Sequence, residues 1–514
     1  MSERRVIVIG AGMGGLAAAC DLARQGVAVT LLERAEATGG KIHQREVGPA
    51  RIDSGPTVFT MRWVFDDLLG ACGETLEDGT LELLRLPIIA RHAWSAEAQL
   101  DLHADRDASI EAVAGFAGAS EASRFAAFCD EAERLYHALE HAYIRSERPS
   151  LVSMSTDLGV RGLALLGGLG PFASLWQSLG RHFHDPRLRQ LFARYATYCG
   201  GSPWQAPATL ALIAHVEMRG VWAARGGMQS IAARLERCAR RLGVTVRLNR
   251  EVAAIETAAG RAVGARLADG ETLAADAVIF NGDAQALAAG LLGEGARRAV
   301  SREGLAPRSL SALTLGILGK ASGFDLSYHN VFFQTDYASE FRDVFEQARL
   351  PQHPTLYLCA QDRLPGAAHL NNADERLFCL INAPARGDTA PLAQEEIQPC
   401  VQQAFTHLQR CGLTIDAPAI QTVVTAPQHF HDRFPGSGGA LYGMAPHGWM
   451  SSFRRPSAST PVPGLFLAGG SAHPGAGVPM ATLSGRLAAA TLMAHLDSTR
   501  RSHRVRISGG MSTA

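Results

Sequence analysis

Residues 5–33 restrict the possible folds more tightly than any other part of the chain. Arg5-Val6-Ile7-Val8-Ile9 is rich in β-branched side chains, and such a run predicts a buried strand. It leads directly into Gly10-Ala11-Gly12-Met13-Gly14-Gly15 and then into a small-residue stretch, 16–23, that predicts a helix. A second apolar run, 27–32, ends on Glu33. Gly10 permits the tight turn, Gly12 lets a pyrophosphate approach the backbone, and Gly15 lets the helix lie close on the sheet. With Gly14 they are the expected cofactor-binding glycines. The helix N-terminus offers unpaired N–H groups and the positive end of its dipole to phosphates. Glu33 stands 23 residues after Gly10. It can accept hydrogen bonds from both ribose hydroxyls of an adenosine and would repel a 2′-phosphate. The unit predicts a bound dinucleotide.

The residues that follow favour FAD over NAD. Gly39-Gly40-Lys41 supplies a second glycine pair that turns the chain back beside the pyrophosphate, where Lys41 adds a charge. Asp53 and Gly55-Pro56 predict a turn, either beside the cofactor or as plain loop. Residues 244–248 predict a strand, and Val252 just after it is a further expected cofactor contact. Far downstream, 464–470 predicts a buried strand ending in Gly469-Gly470. Residues 471–479 form a loop whose only bulky side chain is His473, and 480–496 predicts a helix opened by Pro479. This second strand, glycine loop and helix would point N–H groups at the flavin N1 and O2 edge and stabilise the charge of the reduced ring. Val478, Pro479 and Met480 join Gly469 and Gly470 as expected contacts.

These features predict an α/β fold, an FAD-binding Rossmann-like domain of the glutathione-reductase and amine-oxidase type with an inserted α+β substrate domain. The 514 residues are enough for two or three domains. Residues 1–75, 226–289 and 459–497 are expected to form one discontinuous FAD-binding domain. Residues 76–225, read as mainly helical, and 290–458 are expected to bind substrate and touch the membrane, and 498–514 to be a disordered basic tail. Lys+Arg and Asp+Glu both number 49, so no electrostatic footprint for nucleic acid is present. The nine cysteines form no C-x-x-C pair and read as buried thiols in a reducing compartment. The first strand begins too early for a signal peptide to precede it. Residues 162–179 carry no charge but are broken by glycines and Pro171, which favours an apolar, membrane-dipping segment over a span.

Residues 6–16 with Glu33 and Gly39-Gly40-Lys41 resemble the opening of the bacterial-type carotenoid desaturases. His329-Asn330-Val331-Phe332-Phe333 resembles another segment of that family. Residues 465–485, centred on Ala472-His473-Pro474-Gly475-Ala476-Gly477-Val478-Pro479, resemble its C-terminal signature. Residues 434–443 and His447-Gly448-Trp449 resemble most the 1-hydroxycarotenoid 3,4-desaturases of purple photosynthetic bacteria.

The resemblance implies FAD-dependent desaturation of an acyclic hydroxycarotenoid, late in spheroidene or spirilloxanthin synthesis, with hydride passing to flavin N5. It implies a cytoplasmic protein held peripherally on the inner, photosynthetic membrane, with oxygen or a quinone as electron acceptor. His473 is the candidate proton acceptor by motif context. Its other reading is a structural histidine bonding a loop carbonyl. Asp53 and Arg62 are expected near the flavin. The pairs His182/His184 and His429/His431 lack partners at ligand spacing, so no metal is expected. Rival readings on the same scaffold are a phytoene desaturase, a carotenoid isomerase and an amine oxidase; a non-catalytic carotenoid carrier is a further class.

Overall fold

The computed structural model describes residues 4–147, 149–150, 154, 156–157, 159, 162, 167, 172–301, 305, 307–367, 373–418 and 421–508, with 499–508 as backbone alone. Of the expected membrane-dipping segment 162–179, residues 163–166 and 168–171 lie outside them.

β1 (Arg5–Ile9) buries every residue after Arg5, because its sheet is covered on both faces. The chain continues through α1 (Met13–Ala23) and β2 (Ala28–Leu32). It returns to the same sheet much later with α2 (Gln229–Arg241), β3 (Thr245–Arg247) and β4 (Ala277–Phe280). A last visit supplies β5 (Leu465–Leu467) and α3 (Val478–Ser508). The five strands are parallel, in the order β5-β4-β1-β2-β3. The winding direction reverses between β4 and β1, and ligands bind at the carboxyl ends of strands at such a switch point. α1 packs against both α2 and α3 and buries residues 13–22. An antiparallel meander of Val252–Ala258, Arg261–Leu267 and Thr272–Ala274 lies between β3 and β4 in sequence. Gly270 makes its second turn, with a φ of +91°.

A second sheet of eight strands holds the other core. Its centre is Ser311–Ser322 paired with Glu375–Ala383. Its far edge is the hairpin Ile88–Ala93 and Gln99–His103, joined through the parallel pairing of Ile88–Ala93 with His329–Phe332. This hairpin departs from the helical reading of 76–225. Its register shifts between Ile88 and Ala90, so apolar and polar residues do not alternate cleanly. Helices Ala119–Leu139, Leu175–His182, Pro186–Ala193 and Leu212–Arg219 pack in the same region around Phe125, Phe128, Phe183 and Phe192. Each buried phenylalanine there contributes about 1.5–3 kcal/mol.

The C-terminal helix also differs from expectation. α3 runs past 497 to Ser508, where a disordered tail was predicted. Four arginines read as a solvated tail do not oppose a helix, because arginine is a good helix former. Among the described residues, no helix is long and apolar enough to cross a membrane.

Candidate functional site

The carboxyl ends of β1 and β4 open into a cradle built from glycine. Gly10 has a φ of +95° and donates its N–H to Leu32 O at 2.7 Å. A Cβ on Gly15 would lie 2.0 Å from Gly10 O, and one on Gly40 would lie 3.0 Å from Gly12 Cα. Gly39 N donates to Ala11 O at 2.8 Å, which holds the second glycine pair over the first. α1 starts after Gly12 with no side-chain cap and no acidic residue in its first turn. Its leading N–H groups are therefore left for an anion. Glu33 is buried, with Oε2 accepting from Ala11 N at 2.7 Å and Oε1 from Ala35 N at 2.9 Å. Each oxygen keeps a lone pair for a ribose hydroxyl. The cradle fits the adenosine and pyrophosphate of a dinucleotide.

Sequence reasoning missed the residue at the centre of this cradle. Asn281 closes β4, receives a place through its N–H to Ile9 O at 2.8 Å, and donates from Nδ2 to Gly10 O at 3.0 Å. A Cβ on Gly12, Gly14, Gly15 or Gly469 would come within 3.1 Å of its side chain. The available signal was an amide ending an otherwise apolar strand.

Beside the cradle is a cavity of about 350 Å³. One wall is the loop Gly55, Pro56, Thr57 and Val58, and another is the stretch 474–480 that leads into α3. Leu210, Ile213, Val216, Phe378 and Leu380 make much of the rest apolar. Arg455 brings a cation to it, donating from Nη1 to Gly470 O at 2.7 Å and Tyr442 O at 3.1 Å and from Nη2 to Met444 O at 3.2 Å.

A family model of flavin-containing amine oxidoreductases matches residues 13–493. Over 515 residues the chain is 56% identical to a hydroxyneurosporene desaturase of Rubrivivax gelatinosus, covering 100% of this chain and 98% of the relative. The chain belongs to the carotenoid desaturases. The desaturase is also 46% identical to a hydroxyneurosporene desaturase of Cereibacter sphaeroides, over 97% of this chain and 99% of that one. Its fold resembles the crystal structure of an oxidoreductase from Methanosarcina mazei, with a TM-score of 0.59 at 17% identity, over 94% and 99% of the two chains. It is a flavin-dependent oxidoreductase, and its cofactor is FAD.

The desaturase places the remaining expected residues unevenly. Gly14 and Gly469 face each other across the cradle, where a Cβ on Gly14 would lie 2.9 Å from Gly469 N. Gly470 carries the carbonyl that Arg455 binds, and Val478, Pro479 and Met480 face the cavity at the start of α3. A Cβ on Gly55 would lie 1.9 Å from Lys41 O. Val252 begins the meander opposite Leu267, close to the strand end where Arg250 N donates to Glu33 O at 2.8 Å.

Other expected residues make firm contacts within the protein. Lys41, proposed as a charge for the pyrophosphate, donates through Nζ to Leu441 O at 2.5 Å, and burial lowers its pKa. Asp53 accepts from Met228 N at 2.6 Å and Gln44 Nε2 at 3.0 Å, so it ties the Gly226-Gly227 turn to a two-stranded hairpin of Gln44–Val47 and Ala50–Asp53; burial raises its pKa. Arg62 pairs with Asp66 at 3.1 Å and Glu77 at 2.8 Å.

His473 is held by backbone. Its Nε2 lies 3.1 Å from Tyr143 O and 2.9 Å from Ser146 O. A carbonyl only accepts, so Nε2 carries the proton and donates it. The lone pair of the neutral ring is then on Nδ1. Burial lowers the imidazole pKa to about 4. His473 thus ties the 471–479 loop to the segment after Ala119–Leu139. Away from the cavity, Glu133, His137 and His215 bring ligand atoms within 4.8 Å of one another; His137 Nε2 lies 3.8 Å from Glu133.

Proposed function

We propose that this desaturase introduces the C-3,4 double bond into an acyclic 1-hydroxycarotenoid, on the route to spheroidene- or spirilloxanthin-type pigments. The observation that carries the reading is an apolar cavity that meets the FAD cradle at residues 474–480, in a chain 56% identical to a hydroxyneurosporene desaturase. FAD, when bound, supplies the two-electron acceptor for the hydride. The chain's residues orient the polyene, exclude water and set the local charge. Arg455 and the N-terminus of α3 bring positive potential to the cavity, which favours a negatively charged reduced cofactor.

The polyene reaches the cavity from a membrane surface. Phe172 is 73% exposed and Trp449 46% exposed, and their rings meet edge-to-face at 5.5 Å. Trp449 lies two residues before Ser451, which lines the cavity. This aromatic pair supports peripheral attachment to the inner, photosynthetic membrane, with a quinone there or oxygen taking the electrons.

The test is expression in a host that accumulates hydroxyneurosporene. The expected product is two hydrogens lighter and absorbs at longer wavelength. An altered isomer of unchanged mass would make the protein an isomerase. Activity confined to phytoene would make it a phytoene desaturase.

A further inference from the structure

We propose that a small recess adjoining the cavity, where Arg194, Tyr198, Glu217, His329 and Tyr357 meet aliphatic residues such as Val58 and Val331, receives the tertiary hydroxyl at the end of the polyene. The assignment rests on the function proposed above. The recess holds about 10 Å³, and Arg194, Tyr198, Glu217 and Tyr357 line both it and the large cavity. That volume suits about one water-sized group.

A pure hydrocarbon end has no use for such a lining. Burying an ionisable group costs several kcal/mol unless something pairs with it. Glu217 is buried and, among the described residues, is the only carboxylate of the cavity wall. Its Oε2 accepts from Tyr195 Oη at 2.8 Å. Arg194 donates to Tyr198 Oη at 3.1 Å, and its guanidinium lies 5.3 Å from the ring centres of Tyr198 and Tyr357. Among the described residues Arg194 forms no ion pair, so most of its five N–H donors remain for a ligand.

His329 supplies the second, independent observation. Its Nε2 is buried and has no partner. Its Nδ1 lies 2.6 Å from Tyr357 Oη, which lies 2.6 Å from Thr57 Oγ1. If Tyr357 donates to Nδ1, then Nε2 is a free donor. If Nδ1 donates to Tyr357, then Nε2 is a free acceptor. An alcohol both donates and accepts, so it satisfies His329 in either tautomer.

The position suits the chemistry. One carbinol carbon and one methylene separate the hydroxyl from the C-3,4 bond. A short polar anchor therefore fixes which bond is presented for oxidation. The anchor is joined through Tyr357 to Thr57, on the loop that forms the cavity wall beside Gly55.

The experiment compares hydroxyneurosporene with neurosporene on the FAD-loaded wild type, Glu217→Gln and Arg194→Leu, measuring kcat/KM, polyene binding and FAD content. The wild type should prefer the alcohol by about 100-fold or more, because a polar site rejects a ligand that leaves it unpaired. Both variants should bind the alcohol at least about 10-fold more weakly and lose most of the preference, with FAD content kept and the fall with the alcohol clearly exceeding any fall with neurosporene. Should Arg194→Leu fail to fold, Glu217→Gln, of the same shape, carries the comparison. Equal wild-type use of both polyenes would overturn the assignment and leave the desaturase reading standing, as would a parallel fall with both polyenes in the variants. A wild type inert toward both would overturn the desaturase reading itself.

Discussion

A Cβ on Gly485 would lie 2.0 Å from the carbonyl oxygen of Gly14. The first and last helices of the FAD cradle therefore touch backbone to backbone. Neighbouring Ala17, Ala18, Ala488 and Ala489 are fully buried on the same helices. This contact fixes the start of α3 against the start of α1, and so sets the cavity wall at 474–480 relative to the cradle.

Gly485→Ala should force these helices apart. Overpacking a site closed by backbone costs about 1–3 kcal/mol, occasionally more. The expected outcome is a lower melting temperature and loss of FAD on gel filtration. Wild-type melting with full FAD would show that α1 and α3 are less closely joined.

Asn281→Ala removes the side chain that occupies the middle of the cradle. It leaves Gly10 O without its 3.0 Å donor. Gly10 O is part-buried, and an acceptor left unsatisfied once a bound dinucleotide covers it costs about 1–3 kcal/mol. FAD affinity should fall by about tenfold or more, since about 1.4 kcal/mol corresponds to tenfold. Titration of the apoprotein with FAD measures it.

Acid should destabilise the fold before it disables chemistry. Burial lowers His43, His92, His407, His447 and His473 to about 4. The unfolded chain takes up these protons near pH 6.5, so between pH 6.5 and 4 it holds more protons than the folded chain. Their contribution is whole above pH 6.5 and declines as pH falls through that window. His447 also accepts from Ser202 N at 3.0 Å, a bond that protonation removes. Asp53, Glu217 and Glu340, raised by burial, act in the opposite sense but are fewer. The urea midpoint should be lower at pH 5 than at pH 7.5, and an equal or higher midpoint would contradict the balance.

Phe172 and Trp449 offer a direct test of membrane attachment. Replacing both by Asp puts charge where the exposed rings stand and should release most of the protein from liposomes of bacterial lipid. Stability should stay within about 0.5 kcal/mol of wild type, as expected for surface sites. Unchanged flotation with liposomes would place the contact elsewhere.

The legible parts of the sequence were those whose chemistry is local. Gly10 to Glu33 announces its turn, helix and acid within one stretch, and 469–480 repeats the device. Asn281 carries no such local signal, because its role depends on Gly14 and Gly469 arriving from both ends of the chain. Arg194 and Glu217 were invisible for the same reason. Each is a single charge beside apolar residues, and only the fold brings them to one recess. Their trace in sequence is a charge interrupting the apolar faces of 186–198 and 212–219. His473 was found by motif, but its role hinged on the carbonyls of Tyr143 and Ser146, more than 320 positions away.

The most direct test of the account is an anaerobic single turnover of the FAD-loaded protein mixed with hydroxyneurosporene. The yellow flavin absorbance should bleach as the polyene shifts to longer wavelength, with one two-hydrogen loss per flavin reduced. A flavin that stays oxidised while the polyene keeps its mass would contradict the claim that this fold oxidises its carotenoid.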